Sequence, residues 1–153
     1  MLTPAQKVIL RTMVMSDPTI TAIVAAADDI AIAAWLNTPV VEKCWKTSMD
    51  ISEVHDIMDW TEFIGRSVGE KAAFTCMFVM GFVNPSRPNI RSGLNDIFSG
   101  TGAKPIALRA AFLTIMQRPM TRAEKTVATG PVNGTYTLTF EGELSYADAS
   151  ELR

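Results

Sequence analysis

Residues 135–146 read TYTLTFEGELSY. Threonine alternates with Tyr136, Leu138 and Phe140, and a period of two puts the three large side chains on one face of an extended strand. Glu141-Gly142 has the composition of a turn, so residues 135–140 are expected to fold back on residues 143–146 as a β-hairpin or to project as an arm. A lone hairpin is marginal in water and needs another surface. Two are open: residues 40–47, whose β-branched start and Trp45 suit a third strand of the same chain, or a neighbouring chain docking on the unpaired edge. In the second case Tyr136, Leu138 and Phe140 are the anchors.

Apart from residues 40–47, the chain upstream carries helical signals. Four capping boxes punctuate it: Thr3 with Gln6, Asp50 with Glu53, Ser67 with Glu70, and Thr121 with Glu124. They open helices over residues 4–15, 51–58, 68–81 and from 122 to near Gly130. Asp17-Pro18 and Asn37-Thr38-Pro39 bound an alanine-rich stretch that reads as two short helices or one kinked one. Further helices fall at residues 90–98 and 105–117, the second stopped by Arg118-Pro119. The helix over 68–81 is apolar nearly all round, which predicts a buried central helix with 105–117 packed on it. The expected fold is therefore mainly α: a compact bundle of about six to seven short helices over residues 1–130, with a C-terminal β-hairpin or extended arm over residues 131–153.

A chain of 153 residues is long enough to bury a core, and its 48% apolar and 20% charged composition is that of a globular domain. The formal charge of −2 supplies no global attraction to nucleic acid or anionic lipid. The longest apolar run, around Phe78 to Val83, is far shorter than a bilayer span, and no secretory signal is evident, so no membrane role is expected and synthesis is placed in a cytosol. Cys44 and Cys76 lie far apart among apolar neighbours and read as buried, reduced thiols.

Catalytic candidates are few. His55 is the only histidine; beside Asp56 and one turn from Asp59 it would serve a Cys44 or Cys76 nucleophile, but no spacing rule brings either thiol to it, and it reads as a surface residue in an acidic face. Glu53, Asp56, Asp59 and Glu62 recur every three residues, a solvated or partner-facing acidic stripe rather than a cation loop. No catalytic, cofactor or metal residue and no small-molecule substrate follow from these patterns. Trp35, Trp45 and Trp60 read as core anchors, with interface hot spots the alternative.

Charge is laid out unevenly. Residues 1–63 hold four basic and nine acidic side chains, net −5, and residues 85–125 hold seven basic and two acidic, net +5. Arg87, Arg91, Lys104, Arg109, Arg118, Arg122 and Lys125 would track phosphates or meet the acidic surface of a like subunit, and interleaved aromatics for stacking are absent. Subunit contact through Arg109, Arg118, Arg122 and Lys125 against Asp56, Asp59 and Glu62 is preferred to DNA contact, and simple solvation of the basic side chains stands equally open.

DWTEFIGRSVG at residues 59–69, DIFSG at 96–100, and TRAEKTVATG from Thr121 followed by LTFEGELSY resemble a family of uncharacterised tailed-bacteriophage proteins, across most of the chain. The resemblance implies a small virion or assembly protein made in the host bacterial cytoplasm. By analogy with neck adaptors it implies a head-to-tail connector: a homo-oligomeric ring between portal and tail proteins, near packaged DNA at the channel, without enzymatic activity. Alternatives are another virion component, capsid-decorating or tail, or a phage nucleic-acid-binding or regulatory protein.

Overall fold

A computed structural model describes residues 1–132 and 134–153. In chain order the elements are α1 (Pro4–Ser16), α2 (Thr21–Ala25), α3 (Asp29–Leu36), β1 (Pro39–Trp45), β2 (Met49–Asp50), α4 (Ile51–Ile57), α5 (Trp60–Ile64) and α6 (Val68–Met77). There follow β3 (Phe82–Val83), α7 (Pro88–Ile97), α8 (Ala103–Ile115), β4 (Gln117–Thr121), α9 (Arg122–Val127), β5 (Thr129–Val132), β6 (Thr135–Thr137) and α10 (Tyr146–Ser150). All four expected capping boxes form, and a fifth, Ser145 with Asp148, opens α10.

The expectation of a mainly α bundle is overturned. Ten helices among the described residues are joined by a four-stranded mixed sheet, ordered β4-β1-β6-β5, and a two-stranded β2-β3 pair, so the chain is mixed α/β. Pro119 cannot continue a helix, which turns residues 117–121 into a strand, and the β-branched run of β1 supplies a second. Contacts divide the chain into two units, residues 1–44 with 119–153, and residues 45–118. Residues 131–153 thus belong with the first helices.

In the first unit Leu10, Ile20, Ile32, Leu36, Leu144 and Leu152 form the centre of one buried cluster. β6 runs parallel to β1, with Lys43 opposite Thr135 and Cys44 opposite Tyr136, and antiparallel to β5. The third strand is therefore supplied by the same chain. The hairpin expected at Glu141-Gly142 does not form: the antiparallel partner of β6 is β5, upstream of it, and Tyr146, expected in a returning strand, begins α10. Residues 139–144 are held instead by three side chains. Gln6 donates from Nε2 to the Thr139 carbonyl at 2.9 Å, Glu124 accepts the Gly142 N–H at 3.2 Å, and Asn37 both donates to the Leu144 carbonyl at 2.8 Å and accepts its N–H at 2.9 Å. Gly142 sits at φ +118°, a backbone conformation open to glycine alone at little cost, and so presents that N–H to a carboxylate that is itself buried.

In the second unit β2 pairs with β3, Met49 opposite Val83. Aromatic rings run through its core from Phe63 to Phe74 and Phe98 to Phe112, with centroid separations of 5.1, 6.3 and 5.2 Å. Helix α8 packs chiefly on α4, and α6 on α7. α6 is not the buried central helix that its composition predicts: Phe74 is its one fully buried residue, and Ala72, Ala73 and Cys76 face solvent.

Candidate protein interface

Helix α6 ends at Met77 because Phe78 turns down into the aromatic core, and Gly81, at φ +80°, reverses the chain into β3. The intervening Val79 and Met80 are lifted into solvent, 77% and 72% exposed, and Phe82 beyond the turn is half exposed. These side chains make a ridge between two apolar grooves. One, about 450 Å³, has Phe63, Phe74 and Phe78 for its floor and Trp60, Val79 and His55 at its edges. The other, about 320 Å³, is lined by Met77, Met80, Phe82 and Ile90, with Arg87 among its polar residues. Val68 and Ile64 add further exposed apolar surface on α6 and α5. Large exposed apolar patches are commonly sites of protein contact, which makes this surface the candidate interface.

The acidic residues named from spacing do not share one helix face. Asp59 caps α5, accepting the Glu62 N–H at 3.0 Å, so the chain breaks between α4 and α5 and the stripe is divided. Asp59 also pairs with Lys104 at 3.3 Å, and Glu62 pairs with Arg66. Asp56 stays exposed beside His55, whose ring stands 5.3 Å from that of Trp60. Among the described residues no group of three or more His, Cys, Asp or Glu is placed to hold a metal ion.

The basic set is dispersed and largely engaged. Arg109 donates to the Phe98 and Gly100 carbonyls and ties down the loop after α7. The Arg122 guanidinium lies over Trp35, 4.1 Å from the ring centroid, and Lys125 pairs with Glu42. Arg91 donates to the carbonyls of Pro85 and Ser86 and lies over Trp45 at 4.3 Å. Arg118 is half-buried and Arg87 exposed. Side chains spent on carbonyls, rings and carboxylates of their own unit form no track for phosphates.

Of the arm residues, Tyr136 lies on β6, an inner strand hydrogen-bonded on both sides, and Leu138 is half-buried. Phe140 packs on the first unit's core. Both edge strands carry a proline, Pro119 in β4 and Pro131 in β5, which removes an N–H from each edge and blunts it against strand addition. Docking by the arm therefore has no free edge on β6 to use.

Cys44 is buried as expected, whereas Cys76 is exposed because its helix is. The carboxylates that are held below their usual range are structural ones. Asp50 is lowered by the Ser52 N–H and Glu70 by Ser67, both within caps, and Glu42 by the Lys125 ammonium. Trp60, Val79, Met80 and Phe82 were not separated from the core by sequence reasoning. The available signal was that FVMGFV at residues 78–83 is too uniformly apolar for one buried face, with a glycine in its middle. Comparison with family models, curated proteins and solved structures finds no match to this chain.

Proposed function

We propose that this protein is a non-enzymatic assembly subunit: a tailed-bacteriophage virion protein of the head-to-tail connector kind, forming a homo-oligomeric ring between portal and tail. The observation that carries the assembly reading is the exposed ridge of Val79, Met80 and Phe82 with the grooves on either side. The phage setting comes from the resemblance of residues 59–69, 96–100 and 121–146. Among the described residues no helix is long and apolar enough to cross a membrane. The role of the β arm is revised: the 139–144 segment is an internal clamp, and contact falls to surfaces of the helical elements.

Light scattering coupled to size exclusion, with native mass spectrometry across a concentration series, tests the reading. A closed oligomer of defined mass, and the same protein at the neck of purified particles, is the expected result. A chain that stays monomeric at every concentration and is absent from particles overturns it.

A further inference from the structure

Helix α1 carries two rows. Gln6, Leu10 and Val14 face the core of its own unit. On the opposite side Val8, Arg11, Thr12 and Met15 recur at i, i+3, i+4 and i+7, all exposed. A surface helix ordinarily presents polar residues there, and this spacing is that of a helix laid into a groove, with Val8 and Met15 as anchors about 10 Å apart. Arg11 has no side-chain partner among the described residues.

The larger groove of the second unit has the complementary character. Its floor is aromatic and its α4 edge is His55. The next residue, Asp56, is exposed and has no side-chain partner among the described residues. Other acids of this region, Glu53, Asp59 and Glu62, are already paired with Lys46, Lys104 and Arg66. One apolar row with an uncompensated cation, and one apolar groove with an uncompensated anion one residue beyond its α4 edge, thus occur on a single chain.

We propose that the outer row of α1 from one copy seats in the Trp60–Val79 groove of a second copy, Val8 and Met15 on the aromatic floor and Arg11 against Asp56. The contact joins two different surfaces of identical chains, so it propagates head to tail and closes into a ring where the rotation permits. It rests on the homo-oligomer reading above and names the surfaces that reading requires.

Full-length variants test it. Met15→Glu blocks the helix and Val79→Glu blocks the groove; both positions are exposed, and circular dichroism confirms that each variant folds. Each alone is monomeric at concentrations where the unmodified chain assembles. Mixed in equal amounts they form a one-to-one dimer and nothing larger, since each keeps one competent surface. Arg11→Glu and Asp56→Arg singly weaken association on the order of tenfold, and combined in one chain they recover most of it. An assembly indifferent to Met15→Glu and Arg11→Glu, or a mixture that stays monomeric, overturns this contact while leaving the oligomer standing. An unmodified chain that never assembles overturns both.

Discussion

Leu152, two residues beyond α10, is 0% exposed. It belongs to the cluster of Leu10, Ile32 and Leu36, and α10 just before it packs on α3. A substitution at an exposed position is usually within about 0.5 kcal/mol of neutral. Here Leu152→Ala removes a fully buried side chain and leaves a cavity among three others, a change that costs about 3 kcal/mol in comparable cores. For a cooperative unit of about 60–100 residues this lowers Tm by roughly 12 to 24 °C. Tyr146→Ala, on the same terminal helix but exposed, is the control and shifts Tm by no more than about 4 °C. Thermal unfolding by circular dichroism with a parallel urea titration measures both. If Leu152→Ala is no worse than Tyr146→Ala, the C-terminal segment is not anchored in the first unit and its placement as an internal clamp is wrong.

Cys76 is exposed and Cys44 fully buried, so a chromogenic disulfide reagent titrates one thiol per chain in the native protein and two in guanidinium; two at once in the native state contradicts the burial. Asp148 is held below its ordinary value of 3.8, first by the Ser145 hydroxyl and then by the Ser145 N–H. A depressed folded value contributes stability that is complete above the unfolded value and is lost as the pH falls through the folded one, so Ser145→Ala narrows the gap between stability at pH 6 and at pH 3. An unchanged gap argues against the cap. The Arg122 N–H meets the Thr38 carbonyl at 3.0 Å and the Lys46 N–H meets the Met116 carbonyl at 2.8 Å, which makes β1 and β4 antiparallel neighbours with residues 46–116, nearly all of the second unit, inserted between them. Replacing that insertion by a short turn leaves a chain that unfolds cooperatively with Leu152 still protected; a molten product refutes the division into two units.

Helix starts were legible because a capping box is a local device: Thr3 with Gln6, or Ser67 with Glu70, needs only side chains three residues apart to satisfy end-of-helix N–H groups. The fifth box was readable too, but Asp148 in place of glutamate and the alternation just upstream directed Ser145 and Tyr146 into a strand. The acidic stripe failed for the opposite reason. A three-residue spacing stacks carboxylates only on a continuous helix, and here one helix ends at Ile57, is capped by Met58, and the next starts from Asp59.

The sequence by itself determined where the four helices with recognised capping boxes begin, that Pro119 bars a helix from continuing, and that residues 40–47 suit a strand or an extended connection, since propensity, capping and the missing proline N–H act within a few residues. Only the tertiary structure decided that Thr135–Thr137 pairs with that strand, that Gln6, Asn37 and Glu124 clamp the segment beyond it, and that Val79, Met80 and Phe82 of the apolar run at 78–83 are left outside. Those outcomes depend on which of several apolar surfaces are buried first against one another. The separations involved, 133 residues between Gln6 and Thr139 and 107 between Asn37 and Leu144, lie beyond any local pattern.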